Sequence, residues 1–215
     1  MAGRIELNAH EARVLGVLVE KELTTPDQYP LSLNALTAGC NQKNNRDPHT
    51  DYSEAEVVVA LQGLTAKHFV GRSHPAGSRV ERFHHGMRAV LEVDEAETAV
   101  LAELLLRGPQ QPGELRTRAS RMSPIPTQER LGELLERLAA AGWVANLGRR
   151  SGERAERWGQ TLCPSAPEAA PAAPPRAALA PAAPSPSSAP DLAARVAELE
   201  ARVARLESVL EQLGG

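Results

Sequence analysis

The feature that most constrains the fold is an internal repeat. The segment Gly77-Ser78-Arg79-Val80-Glu81-Arg82-Phe83 returns as Gly152-Glu153-Arg154-Ala155-Glu156-Arg157-Trp158, agreeing at the glycine, both arginines, the glutamate and the closing aromatic. Upstream of each copy lies the same pattern of an apolar helix followed by an aromatic and a valine: Leu61 and Leu64 before Phe69-Val70, then Leu135 and Leu138 before Trp143-Val144. Self-similarity of this kind marks two copies of one small unit.

Within the first copy, Asn8 followed three residues later by Glu11 is a capping-box start, and Ala12, Leu15, Leu18, Val19 and Leu23 supply a helical apolar face. A second, shorter helix is predicted from Leu31 to Ala38. Ser53 with Glu56 opens a third, whose core face is Val57, Ala60, Leu61 and Leu64 and which ends near Lys67. Two extended runs follow, about Val70 to Ser73 and Val80 to His84, joined by Pro75-Ala76-Gly77-Ser78. The second copy predicts helices at Glu95 to Arg107, Gly113 to Ala119 and Gln128 to Ala140, then a hairpin around Gly148 to Gly152. Three helices and a hairpin are the layout of a winged helix-turn-helix. The expected fold is therefore mainly α with small β-hairpins, an α+β chain with winged-helix units over residues 1–90 and 91–163.

From Pro164 to Pro190 the chain is dominated by proline and alanine, with Glu168 and Arg176 its only charges. Such a stretch buries too little apolar surface to offset its ordering entropy and reads as a disordered tether. Beyond it, over residues 191–213, Leu192, Val196, Leu199, Val203, Leu206, Leu210 and Leu213 alternate by four and three, the period of a coiled-coil seam. Arg195 and Arg202 at g positions match Glu200 and Glu207 at e, which favours parallel self-pairing into a homodimer. An amphipathic helix folded back on the rest of the chain is the alternative.

The stretch Glu11-Ala12-Arg13-Val14-Leu15-Gly16, then Glu20-Lys21-Glu22, Thr24 to Leu36, Gly39 to Lys43 and Asn45-Arg46-Asp47-Pro48 resembles the bacterial YceH-like family. The resemblance covers the first unit fully and the second more loosely. It implies tandem winged-helix domains and assigns no activity.

Charge decides what such a fold can touch. The net charge of -3, from 24 Lys and Arg against 27 Asp and Glu, confines any basic surface to local patches. Glu54 and Glu56 outweigh Lys67 on the first unit's third helix, as Glu129, Glu133 and Glu136 outweigh Arg130 and Arg137 on the second's. Acidic third helices argue against a reading helix in the major groove. The hairpins argue for phosphate contact through Arg72, Arg79 and Arg82 in the first and Arg149, Arg150, Arg154 and Arg157 in the second. Pairing of these arginines with Glu81, Glu153 and Glu156 is the plainer account.

The polar run Asn41-Gln42-Lys43-Asn44-Asn45-Arg46-Asp47, between the second and third helices, resists explanation by packing. Its amides and guanidinium are expected to face outward, toward nucleic acid or a partner, with Asn41, Gln42, Lys43, Asn45 and Arg46 as contact residues. His74, His84, His85 and Cys40 have no metal-ligand spacing, and no nucleophile motif or phosphate loop is present. No metal, cofactor or catalysis is expected. Too few aromatics exist for a single-strand stacking surface. With two distant cysteines and no membrane-spanning run, a cytoplasmic place is expected. Two readings follow: a regulator that binds duplex DNA, or an adaptor that docks another protein, in which case an exposed apolar groove is the distinguishing mark.

Overall fold

The computed structural model describes residues 5–74, 80–150, 152 and 155–163, all within one compact unit, residues 1–167. The tether and heptads expected over 164–213 lie outside the described residues. Helix α1 (Ala9–Thr24) begins at the anticipated capping box: the Asn8 carboxamide accepts from Glu11 N at 2.9 Å, and Asn8 N donates to the Glu11 carboxylate at 2.8 Å. Strand β1 (Leu31–Ser32) leads directly into α2 (Leu33–Cys40). Helix α3 (Glu54–Ala66) opens on the reciprocal Ser53 and Glu56 bonds, and strands β2 (Val70–Ser73) and β3 (Arg82–His85) follow. After the short α4 (Met87–Leu91), the order recurs as α5 (Glu95–Arg107), α6 (Pro112–Ala119), α7 (Gln128–Ala140), β4 (Val144–Asn146) and β5 (Trp158–Gln160). The chain is a mixed helical and β structure with small antiparallel sheets.

The second helix begins two residues later than its pattern predicts. Leu31 and Ser32 are pulled into extended backbone by pairing with Phe83 and Arg82 of β3, and the Ser32 hydroxyl then caps α2 by accepting from Ala35 N. The first sheet is thus three-stranded, in the order β1-β3-β2. In the second, β4 pairs with β5, and an isolated bridge between Gln110 and Trp158 stands where β1 meets β3 in the first. Helix α4 has too few residues to show a period, and its pattern gave no warning of it.

Three details tie the halves together as copies. Helix α3 closes with Phe69 N donating to Leu64 O at 2.9 Å, and α7 with Trp143 N donating to Leu138 O at 2.8 Å. Each closure passes through one left-handed residue, His68 at φ 63° and Gly142 at φ 82°. On each hairpin the repeated arginine reaches back to a proline carbonyl: Arg82 Nη1 donates to Pro30 O at 2.8 Å, and Arg157 Nη2 donates to Pro109 O.

The first helices of the two halves pack on each other at the centre. Helix α1 is buried on all sides from Glu11 through Glu20, and α5 from Glu97 through Leu106. Helices apolar around most of their girth need partners on every face, and one hydrophobic cluster accordingly runs from Leu7 to Leu162 through both halves. Gly16 allows the close approach. A Cβ placed there would lie 3.0 Å from the Leu106 side chain and 3.3 Å from Leu105 Cβ. Gly16→Leu is expected to lower unfolding free energy by about 1–3 kcal/mol through overpacking, read from the urea midpoint; an unchanged midpoint would mean that α1 and α5 do not meet there.

Candidate functional site

Within the polar run between α2 and α3, Gln42, Lys43, Asn44 and Asp47 are exposed as expected, Asn41 and Asn45 are half-buried, and Arg46 turns inward. Arg46 has a fully buried side chain, donating from Nη2 to Glu20 Oε2 at 2.6 Å, and from Nε and Nη2 to Gly39 O at 3.1 and 2.9 Å. The outward guanidinium expected from the sequence does not exist. Asn41 is likewise engaged, its Oδ1 accepting from Tyr52 N at 2.7 Å and its Nδ2 donating to Tyr52 O at 2.8 Å, so it staples the entry to α3. Gln42 accepts from Lys21 at 3.2 Å and from Arg46 at 3.0 Å. Asn45 holds a left-handed backbone at φ 61°, which its short polar side chain tolerates, and accepts from Arg107 of α5. Asp47 N donates to Leu106 O at 2.9 Å. Among the described residues, Lys43 is the one predicted contact residue of this run that is exposed and makes no side-chain hydrogen bond or ion pair.

These contacts belong to a charge network that joins the halves. Glu20 of α1 also accepts from Arg121 at 2.7 Å, and Arg121 meets Glu103 of α5 at 3.3 Å. Arg107 lies 3.1 Å from Glu103 as an ion contact, without the alignment of a hydrogen bond. Burial alone would raise the Glu20 pKa, but hydrogen bonds and charge from Arg46 and Arg121 win and hold it below the usual carboxylate value. Arg13, buried beside them, donates to Cys40 O at 3.2 Å and Pro48 O at 2.7 Å; burial and then the Arg46 charge lower its pKa.

The hairpin arginines divide. Arg72 pairs with Glu81 at 3.5 Å, as the plainer account predicts, while Arg82 and Arg157 are spent on the proline carbonyls. Arg149 and Arg150 are exposed on the second hairpin, and Arg79 and Arg154 lie outside the described residues. The self-association residues Leu192, Val196, Leu199, Val203, Leu206, Leu210 and Leu213 lie outside them too. On α7, Arg130 bonds Glu133 at 2.8 Å, and Arg137 bonds Asp94 at 2.8 Å and Glu97 at 3.0 Å.

A different surface is left open. Between α2, α3 and the first hairpin runs a groove of about 590 Å³, floored by Leu61 and Phe83 and walled by Leu33, Val58 and Val80, with Glu54, Glu81 and Arg72 at its rim. On the other side of α3, Ala55, Val59 and Ala60 form a second depression of about 270 Å³ with His10. Val59 is 65% exposed and Val80 52%, and among the described residues the only other large apolar side chain so exposed is Leu147 at 56%. The sequence carried this signal, since Val58 and Val59 fall outside the helical stripe of Val57, Ala60, Leu61 and Leu64.

His85 and Cys40 prove to be interior groups. Burial pushes the Cys40 thiol up to about 12, so it is no nucleophile near neutral pH. His85 accepts from Met87 N on Nδ1 at 3.2 Å, which leaves Nε2 to donate to Glu22 at 2.7 Å, and Glu22 also holds Arg88 at 3.2 Å. Burial lowers the His85 pKa against the opposing pull of Glu22.

Comparison with known sequences places the chain. Residues 7–153, from the start of α1 to beyond β4, match the family described as a protein of unknown function, DUF480. The chain belongs to this family. It is 49% identical over 168 residues to a UPF0502 protein of Geotalea daltonii, covering 77% of each chain. A UPF0502 protein of Geobacter sulfurreducens is 50% identical over 162 residues, 74% of this chain and 73% of the relative. One from Pectobacterium atrosepticum is 42% identical over 174 residues, 78% of this chain and 82% of the relative. The matched family region holds the whole Glu20, Arg46, Glu103 and Arg121 network.

Two predictions follow from the buried charges. Arg46→Ala leaves Glu20 short of a partner and should cost about 3–5 kcal/mol of stability; denaturant unfolding measures this, and a loss under about 1 kcal/mol would mean that the pair contributes as a surface bridge does. For His85, the folded pKa lies below 6.5, so the folded state binds fewer protons than the unfolded state in the interval between them. Stability from this group is present above about pH 6.5 and lost as pH falls below it. His85→Asn should flatten that part of a thermal-unfolding profile, and a profile with the wild-type slope would rule His85 out as its source.

Proposed function

We propose that this chain is a tandem winged-helix protein that docks another protein, in preference to reading duplex DNA. The order of three helices and a hairpin, met twice, supports the winged-helix assignment, as do the matching helix closures and proline-anchored arginines. The observation that carries the docking reading is the chemistry of the third helices. Helix α3 offers solvent Glu54, Ala55, Glu56, Val59 and Gln62 with Val58 half-buried, and α7 offers Glu129, Glu133 and Glu136 beside arginines already paired. A helix entering the major groove needs donors for base edges and no repulsion from phosphates. These two helices provide apolar surface and carboxylates.

Among the described residues of the DNA reading, Arg149, Arg150 and Lys43 are exposed, while Arg79 and Arg154 lie outside the described residues. Each phosphate that such residues neutralise would add roughly one to the salt slope. Cytoplasmic location and homodimerisation through residues 191–213 stay with this proposal as sequence expectations. Among the described residues no helix is long and apolar enough to cross a membrane.

Titrating the full-length protein into mixed-sequence duplex DNA across a salt series tests the reading. The expected outcome is no saturable binding at about 50 mM salt. Tight binding with a steep salt slope, weakened by Arg149→Ala with Arg150→Ala, would instead establish a DNA contact through the second hairpin.

A further inference from the structure

We infer that the groove between α2, α3 and the first hairpin receives a short amphipathic segment of another protein, apolar at two or three positions and flanked by lysine or arginine. This inference rests on the protein-docking reading and names the partner's chemistry. A cleft of about 590 Å³ falls in the range of roughly 300–1,000 Å³ that holds a compact ligand. It accepts a few side chains, not a whole domain. Its floor is core: Leu61 is 2% exposed and Phe83 5%, so both are fixed in place by the packing beneath them. Rigid apolar floors with a polar margin are what anchor residues use at protein interfaces.

The second copy of the repeat shows that this apolar surface is no by-product of the fold. Matching the two helix closures, Leu64 with Leu138, pairs the buried stripe Val57, Ala60, Leu61 and Leu64 with the buried stripe Leu131, Leu134, Leu135 and Leu138. The same offset pairs Val58 with Gly132, Val59 with Glu133 and Gln62 with Glu136. Where α7 has a glycine and two glutamates, α3 has the half-buried Val58 in the groove, the exposed Val59 on its other side, and Gln62. The buried stripe is complete in both copies without the Val58 position, so this apolar wall of the groove is not a demand of the core.

Charge then selects the partner. The exposed ionised groups along α3 are Glu54 and Glu56; Lys67, at its end, is drawn to Glu11 at 2.6 Å. Across the groove Glu81 meets Arg72 at 3.5 Å, which leaves the rim with two carboxylates and one guanidinium. An incoming acidic segment would be repelled, while a Lys or Arg beside its apolar anchors would find Glu54. Seating of an amphipathic helix in a groove, with anchors three or four residues apart, satisfies both requirements.

The experiment is selection of displayed random peptides of roughly 15 residues against the immobilised full-length protein, followed by synthesis of an enriched peptide and titration. Enrichment of bulky apolar pairs flanked by Lys or Arg is expected, with affinity reduced at least about tenfold by Val58→Glu with Val80→Glu. Leu147→Glu, an equally exposed site on the second hairpin, should leave affinity unchanged. Thermal unfolding of all variants is expected to match the parent, since the substituted side chains lie outside the buried stripe. Enrichment of acidic peptides, binding that survives the double substitution, or no enrichment at all would overturn the groove assignment. Failure of the docking reading is told apart by the duplex-DNA titration, where it shows as tight binding with a steep salt slope.

Discussion

Glu20 sits at the centre of the molecule with almost no access to water and accepts from two guanidiniums that come from opposite halves of the chain. An ionised carboxylate in such a place is tolerable only if its lone pairs are met with good geometry, because its desolvation costs several kcal/mol. That requirement orders much of the structure. Arg46 must be held at full burial, so the segment carrying it folds over Gly39 and is locked by Asn41, Gln42 and Asn45. Arg121 must lie between α1 and α5, so the chain after α6 is drawn across both. The apolar contact at Gly16 brings the two helices close enough for the charges to share partners.

The repeat, most helix boundaries and the capping boxes were legible because each depends on neighbours in sequence. Helices α5 and α7 span the ranges predicted for them. What escaped depends on distant contacts. Leu31 and Ser32 look helical locally and become a strand only because β3 offers a pairing edge some fifty residues on. The run from Asn41 to Asp47 looks like a contact surface because polar residues in a loop commonly face water, and nothing local reveals that Glu20 and Arg107 are waiting inside. The candidate groove was half visible, in Val58, which the core stripe of α3 does not use. Its other wall, Leu33 and Val80, depends on tertiary packing.

The two halves use one scaffold for different ends. In the second, the third helix is sheathed in ion pairs, some of them reaching back to Asp94 and Glu97 at the start of α5. In the first, the corresponding helix is flanked by apolar depressions and the hairpin arginine Arg72 is turned toward Glu81. The hydrophobic interior hardly distinguishes them, since both bury the same four-position stripe. Divergence has gathered on the outside, where substitution is cheapest in stability.

The shared carboxylate also governs how this sequence can change over time. Glu20 and Arg121 are 101 positions apart, yet loss of one leaves the other buried or half-buried without its counter-charge. Arg46 and Arg121 occupy corresponding segments, each between a second and a third helix, but converge on one acceptor. The halves therefore stopped being interchangeable once that acceptor was shared. The two copies are bound into one unit, since neither can be removed or exchanged without stranding a charge in the other.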